Sequence, residues 1–221
     1  MGFRYAVLGA GRQGTACAYD MVKFGDADSV VLADISLEAA QAAAARVNAL
    51  LQTDRARGVE LDVTDLRAVA TLLEGVDAFL SAVPYYYNVD ITQAAVQAGA
   101  SMCDLGGNTD LVREQLGFDA EARAAGISVI PDCGQVPGMG STLMVYAMDL
   151  LDEPEEVFMW DGGLPQEPRP PFDYLLTFNI AGLTNEYAEP PIFLRDGRPT
   201  HVPTMDELEE LDFPPPVGRL E

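Results

Sequence analysis

Three closely spaced glycines near the N-terminus stand where a phosphate group could be bound. Gly9, Gly11 and Gly14 form the pattern G-x-G-x-x-G directly after an apolar run at residues 3–8. The first glycine allows a tight turn, the second lets the backbone approach a pyrophosphate, and the third lets a helix pack closely on a strand. The N–H groups that open this helix would then meet the phosphate charge, beside Arg12 and Gln13.

An acidic residue lies at the distance that such a motif requires. Asp34 follows Gly14 by twenty residues and ends a second apolar run. A carboxylate there accepts hydrogen bonds from the adenine-ribose hydroxyls of a dinucleotide, and it repels a 2′-phosphate. No arginine follows in Ile35-Ser36, so the sequence favours NAD over NADP. Asp62 and Val63, after the third apolar run, are candidates to flank the adenine, although Asp62 is equally suited to capping the next helix.

Small and polar residues follow three more apolar runs. Ala82, Val83 and Pro84 could let a nicotinamide lie close, and three tyrosines come next. The segments 104–108 and 132–138 are rich in glycine and polar groups, including Gly106. Ligands of parallel sheets bind beyond the carboxyl ends of the strands, so we expect these three loops to share one site.

The elements that must position these residues alternate regularly. Apolar runs at 3–8, 29–34, 57–61, 77–83, 101–105 and 127–132 predict buried strands, and the segments between them predict helices, at 12–25, 36–51, 65–74, 88–98 and 110–125. Such alternation predicts an α/β fold, a doubly wound parallel sheet of the Rossmann type.

The texture of the chain changes after about Leu151. Nine of the fifteen prolines lie between residues 154 and 203, and short apolar pieces predict strands at 156–160, 173–180 and 191–197. We expect a dinucleotide-binding domain at residues 1–138, followed at 139–221 by a linking helix and the start of a second, α+β domain.

Composition excludes several classes of function. Thirty-five acidic residues face thirteen basic ones, a net charge of −22 that opposes binding to nucleic acids or anionic membranes. No apolar stretch is long enough to span a bilayer and no cleavable leader is evident, so we expect a cytoplasmic protein. Three scattered cysteines and one histidine predict neither a disulfide framework nor a metal site.

Four segments resemble one enzyme family. They are V-P-Y-Y-Y-N at 83–88, D-L-G-G-N-T-D at 104–110, P-D-C-G-Q-V-P-G-M-G at 131–140 and G-G-L-P-Q-E-P-R-P-P-F-D-Y at 162–174. The similarity is to the saccharopine dehydrogenase-like family, and within it to the lysine 6-dehydrogenase branch. Members of that family are longer than this chain, so the resemblance implies that the second domain is truncated.

The resemblance implies an NAD-dependent oxidoreductase that acts on the CH–NH or CH–NH2 group of an amino acid, as L-lysine 6-dehydrogenase does, and a homodimer. Two alternatives stay open. One is an NADP-dependent imine reductase of the saccharopine or carboxynorspermidine type. The other is a catalytically idle NAD-binding module.

Amine oxidation requires a base, which here must be a tyrosine, an acidic residue, His201 or water. Lys23 is the only lysine and lies in the predicted helix behind the glycine loop, which argues against an enzyme-bound Schiff base. We expect Tyr86 and Asp104 to be the catalytic groups. The substrate would be held by other residues, for which the candidates are Tyr87, Asn108, Gly134 and Arg169, the last as a partner for a carboxylate.

Overall fold

The chain forms two compact units. The structure, a computed structural model, describes residues 2–163, 165–171, 173–188 and 190–220. The first unit is Met1–Leu164 and the second is Pro165–Glu221. The domain boundary expected between residues 138 and 139 stays a prediction.

The first unit is built on a six-stranded sheet. Its strands are β1 Phe3–Leu8, β2 Ala27–Asp34, β3 Ala56–Glu60, β4 Ala78–Ser81, β5 Ser101–Asp104 and β6 Val129–Ile130. All neighbouring strands are parallel, in the order β3-β2-β1-β4-β5-β6. The order reverses between β1 and β4, where dinucleotides bind in doubly wound sheets. The predicted fold class is confirmed.

Helices connect the strands. They are α1 Arg12–Phe24, α2 Leu37–Leu51, α3 Leu66–Leu73, α4 Asn88–Ala98, α5 Thr109–Leu116, α6 Asp119–Ala125 and α7 Met139–Met148, with a 3₁₀ turn at Tyr85–Tyr87. The single helix predicted at 110–125 is wrong, because the chain breaks between α5 and α6 at Gly117 and Phe118.

Side chains on both faces of the sheet form the core. Strand β1 alternates, so that Ala6 and Leu8 join one buried cluster while Val7 joins the cluster on the other face. The alanines of α2 let that helix lie close to β3: a Cβ atom at Gly58 would come within 2.4 Å of the Ala40 backbone. Burial on both faces is what continuous apolar strands predict.

The second unit contains short antiparallel pairs. Helix α8, Ile180–Ala188, precedes a hairpin of β7, Ile192–Arg195, and β8, Arg198–His201, and β9, Leu211–Asp212, pairs with β10, Arg219–Leu220. The strand predicted near 191–197 is therefore confirmed. The strands predicted at 156–160 and 173–180 are wrong, since neither segment has a ladder partner in the described part of the chain.

Candidate functional site

The three glycines of the N-terminal loop meet different surroundings. A Cβ atom at Gly9, where φ is 96°, would lie 2.7 Å from the carbonyl oxygen of Ala82, and one at Gly14 would lie 1.9 Å from that of Gly9. A Cβ atom at Gly11 would meet no atom within 4 Å. Packing therefore requires glycine at positions 9 and 14, whereas at Gly11 the bare backbone faces open space.

Gly11 also caps helix α1. It has no side chain to accept hydrogen bonds from the first N–H groups of the helix. Arg12 and Gln13, which follow it, are exposed. Free N–H groups and the positive end of the helix dipole suit a phosphate group. The loop thus has the shape and charge of a pyrophosphate cradle.

Asp34 lies beside this cradle, held by the backbone on both sides. Its carboxylate accepts hydrogen bonds from the Ala10 N–H, at 2.8 Å, and from the Ser36 N–H, at 3.0 Å. The carboxylate is thereby fixed next to the glycine loop at the end of β2. Ile35, which follows Asp34 in the chain, is apolar and 71% exposed.

The end of β3 and the tyrosine turn carry the next candidates. Asp62 accepts hydrogen bonds from the N–H and the hydroxyl of Thr64, and both bonds lower its pKa. The electrostatic effect of Tyr86 is the largest cause that raises the pKa of Tyr87, and that of Asp62 is the smallest. Asp62 therefore lies within electrostatic reach of the tyrosines. Val63 packs against the same core cluster as Tyr87.

The end of β4 is joined directly to the glycine loop. The Ala82 N–H donates to the Leu8 carbonyl at 2.7 Å, and Val83 lies 3.2 Å from the position of a Cβ atom at Gly9. Pro84 then begins the turn that contains the tyrosines. The structure therefore places Ala82 and Val83 against the glycine loop, and the expected contact of residues 82–84 with a nicotinamide stays a prediction.

The three tyrosines form a small aromatic cluster. The ring of Tyr86 lies edge-on to Tyr85, with centroids 5.6 Å apart, and tilted against Tyr87, with centroids 4.5 Å apart. The hydroxyl groups of Tyr86 and Tyr87 share a hydrogen bond that raises the pKa of Tyr87. Tyr86 is 49% exposed, so about half of its side chain is open to solvent.

Contacts between backbone and side chains join the loops after β4, β5 and β6. A Cβ atom at Gly107 would lie 3.0 Å from the Tyr85 ring, and one at Gly106 would lie 2.1 Å from the Asp132 carboxylate. A Cβ atom at Gly134 would lie 2.6 Å from the Leu105 carbonyl oxygen. The loops therefore meet at one edge of the sheet.

Asp104 is wholly buried and its carboxylate is fully engaged. Oδ1 accepts from the N–H of Gly106, at 2.7 Å, and of Asp132, at 3.3 Å, while Oδ2 accepts from the Gln115 side-chain amide at 2.8 Å. These contacts fix two of the loops. The catalytic role expected for Asp104 stays a prediction, and its contacts suit positioning better than proton transfer.

Two carboxylates face each other at this point. Burial is the main cause that raises the pKa of Asp132, and the nearby Asp104 raises it further, while a hydrogen bond from the Gly107 N–H opposes the shift. Asp132 also adopts a left-handed backbone, with φ of 61°. The fold therefore holds Asp132 near a second carboxylate and in an unfavourable backbone conformation.

The remaining substrate candidates lie in three different settings. Asn108 caps helix α5, since its Oδ1 accepts from the N–H groups of Asp110 and Leu111, both at 3.1 Å. Gly134 belongs to the rim. Arg169 is exposed in the second unit, so its expected contact with substrate stays a prediction.

Sequence reasoning missed a buried chain of polar groups behind the rim. The Ser81 hydroxyl donates to Oδ1 of Asn88 at 2.8 Å, Thr92 donates to the Asn88 carbonyl at 2.8 Å, and Gln115 donates to Thr92 at 3.1 Å as well as to Asp104. The signal was available: polar residues at 88 and 92 lie one helical turn apart on the apolar face of α4.

Two further features concern metal binding and membrane insertion. Within residues 2–163, 165–171, 173–188 and 190–220, no three His, Cys, Asp or Glu side chains lie together so that they could hold a metal ion. Over the same residues, every helix is too short or too polar to cross a bilayer.

Comparison with known proteins matches both parts of the chain to one family. The family model described as saccharopine dehydrogenase NADP binding domain matches residues 5–130, and the one described as saccharopine dehydrogenase C-terminal domain matches residues 134–221. The first match alone covers more than half of the chain.

Two relatives show the extent of the similarity. The saccharopine dehydrogenase [NADP(+), L-glutamate-forming] of Saccharomyces cerevisiae is 24% identical over 182 residues, which are 78% of this chain and 40% of the relative. The solved structure of apo histidine-tagged saccharopine dehydrogenase (L-Glu forming) from Saccharomyces cerevisiae aligns with a TM-score of 0.68 at 21% identity, over 97% of this chain and 48% of that one. The chain thus spans less than half the length of these relatives and shares their fold.

Proposed function

The chain belongs to the saccharopine dehydrogenase family, and from that premise we propose that it is an NAD-dependent oxidoreductase acting on the CH–NH or CH–NH2 group of an amino acid. The sequence motifs suggest the lysine 6-dehydrogenase branch as the functional model. The observation that carries the proposal is the open face of Gly11 at the start of α1, with the Asp34 carboxylate fixed beside it.

The contacts of Asp34 support NAD as the cofactor. Its carboxylate keeps lone pairs for ribose hydroxyls while it accepts from Ala10 and Ser36. A 2′-phosphate placed there would face a fixed negative charge, with Ile35 rather than a basic side chain next to it. The family description and the yeast relative both carry NADP in their names, so the preference is a property we assign to this chain from its own residues.

When bound, the nicotinamide would accept or donate the hydride, and the chain's residues must orient the substrate and move a proton. Ala82, Val83 and Pro84 would form the wall beside the ring, because Ala82 and Val83 already contact the glycine loop and Pro84 follows them. The amine must lose a proton before its carbon can give up a hydride, which requires a nearby acceptor.

We assign this acceptor to Tyr86. It is half-exposed at the rim and shares a hydrogen bond with Tyr87, whose raised pKa keeps the second phenol protonated and able to donate. Tyr87 would thereby hold the Tyr86 oxygen in place by donating a hydrogen bond to it. Asp104, with all its contacts directed to protein donors, would act as a positioning residue for the loops at 106 and 132.

The first experiment separates binding from turnover. Calorimetric titration with NADH and with NADPH should give heat with both or with NADH alone, and tighter binding of NADH. NAD⁺ with L-lysine should then produce NADH, which is followed by its absorbance. Binding without turnover across a panel of L-amino acids would support the catalytically idle module instead. An absence of heat with either nucleotide would contradict the proposed dinucleotide site.

A matched pair of variants tests Tyr86. Tyr86→Phe should lower kcat about 100-fold while the affinity for NADH is unchanged, because only the proton acceptor is lost. Tyr85→Phe, in which the neighbouring ring keeps its packing on Gly107, should retain the parent kcat. Equal losses in the two variants would show that the aromatic cluster matters for packing rather than for proton transfer.

A second candidate function has one specific observation in its favour. The NADP in the matched family description points to an imine reductase that joins an amino acid to a carbonyl compound. Tighter binding of NADPH than of NADH would favour this reading. For either activity we propose a homodimer in the cytoplasm, and light scattering after size-exclusion chromatography tests the dimer.

A further inference from the structure

Two of the three cysteines lie together although thirty residues separate them in the chain. Cys103 is in β5, and its register partner in β6 is Ile130. Cys133 follows Ile130 by three residues, and its thiol donates to the Ile130 carbonyl at 3.4 Å. The Cys133 N–H is held on the Asp104 carbonyl at 2.7 Å. The sheet therefore fixes both cysteines at the same edge.

The two thiols also interact with each other. Cys103 and Cys133 share a side-chain hydrogen bond in which Cys103 is the donor. Burial first, and the charges of Asp104 and Asp132 after it, raise the pKa of the Cys133 thiol, while the hydrogen bond from Cys103 opposes that shift. All three cysteines are free thiols, and Cys17 lies in α1, apart from this pair.

We propose that Cys103 and Cys133 are a redox pair that closes reversibly to a disulfide when the protein meets a hydroperoxide or a small-molecule disulfide. Cys133 is the first to react because it is exposed, whereas Cys103 is half-buried. Burial is the main cause that raises the pKa of Cys103 to about 12, so this thiol is protonated while Cys133 reacts. The assignment is independent of the proposed oxidoreductase activity.

The chemistry balances in two steps. The Cys133 thiolate attacks the O–O bond of the hydroperoxide, forming a sulfenic acid and releasing an alcohol, or water from hydrogen peroxide, once a proton is taken up. The Cys103 sulfur then attacks the Cys133 sulfur, so that the S–S bond forms, the S–O bond breaks and water leaves. The two thiols lose two electrons and two protons, and the peroxide is reduced. With a disulfide as oxidant, two exchange steps release two small thiols.

The test uses the full chain with hydrogen peroxide and, separately, oxidised glutathione. After treatment, alkylation of the unfolded protein should modify one of the three thiols, the intact mass should fall by about 2 Da, and a linked peptide should contain Cys103 and Cys133. A thiol reductant should restore all three alkylation sites.

Two variants make the outcome decisive. Cys17→Ser should form the same linked peptide, because Cys17 takes no part. Cys103→Ser should lose it and retain one glutathione on Cys133, because the resolving thiol is missing. Three alkylatable thiols after oxidation of the parent chain, a link that includes Cys17, or a link only between two copies of the chain would overturn the proposal.

Discussion

Gly11 and Gly14 belong to one motif but differ in what their missing side chains permit. Gly11→Ala should leave the unfolding temperature unchanged, because its Cβ atom would meet nothing within 4 Å and φ is −70°. It should weaken NADH binding by about tenfold or more, since the methyl group occupies the space of the pyrophosphate. Calorimetric titration and thermal unfolding measure the two effects.

Gly14, the third glycine of the motif, should respond in the opposite way to the same substitution. Gly14→Ala should lower the free energy of unfolding by about 2–3 kcal/mol, because its Cβ atom would overlap the carbonyl oxygen of Gly9 at 1.9 Å.

Gly163→Ala is the matched control for Gly11→Ala, because the Cβ position of Gly163 is also surrounded by free space. This control should change neither stability nor NADH binding. Unchanged NADH affinity in Gly11→Ala would place the phosphates elsewhere.

A single carboxylate at the rim should make stability depend on pH. Asp132 has a raised pKa, so its ionisation costs the folded state stability as the pH rises from the ordinary value, near 3.8, through the raised one. Asp132→Asn removes this cost, keeps a side chain that tolerates a left-handed backbone and should therefore be more stable at pH 7. The gain should disappear near pH 3.

Urea unfolding at the two pH values measures this difference. Asp196→Asn is the matched control because Asp196 also has a positive φ, 49°, but lies in the exposed turn between β7 and β8. Its midpoint should stay close to that of the parent at both pH values. An equal gain for Asp132→Asn at pH 3 and pH 7 would mean that charge repulsion is not the cause.

At the scale of the elements, Gln115 ties helix α5 to strand β5 and helix α4. Its amide donates to both Asp104 and Thr92, and it is 2% exposed. Gln115→Met should lower the free energy of unfolding by about 2 kcal/mol, because it leaves a buried carboxylate short of a donor. Urea unfolding provides the measurement.

The same substitution on a surface separates this effect from helix propensity. Gln93 lies in α4 and is exposed, so Gln93→Met should change stability by less than about 0.5 kcal/mol. If the two variants were equally stable, the hydrogen bonds to Asp104 would contribute little, and the rim would be held by its backbone contacts alone.

How far the elements could be predicted depends on whether their signals are local. Helix α4 has the predicted bounds, 88–98, because its periodicity lies within the segment and its C-cap, Gly99, directly follows it. The runs at 156–160 and 173–180 are apolar in the way strands are, but a strand forms only where a partner is available. That partner is a distant part of the chain, which local pattern does not reveal.

The candidate site shows the same division. Its glycines, Asp34 and the three converging loops follow from a motif and from the rule that parallel strands end at one edge. Two features required the strand order and register: the engagement of Asp104 by Gln115, and the interaction of Cys103, in β5, with Cys133, three residues after β6. Sequence separations of eleven and thirty residues carry no such information.

For the molecule as a whole, charge is the dominant feature. A net charge of −22 on 221 residues means that most acidic groups repel one another in the folded state. The ion pairs described, such as Arg113 with Asp110 and Arg123 with Asp119, are exposed and contribute little. Repulsion between exposed charges is screened as the Debye length falls from about 10 Å at 0.1 M salt to about 3 Å at 1 M.

Salt should therefore stabilise the protein. The Tm should rise by about 5 °C or more between low salt and 1 M NaCl, with most of the rise at the lower concentrations where screening changes fastest. KCl at equal ionic strength should give the same curve, because screening depends on ionic strength rather than on the cation. A Tm that falls with added salt would show that attraction within the ion pairs outweighs the repulsion among the unpaired acids, and a rise with only one of the two salts would indicate a specific cation site instead.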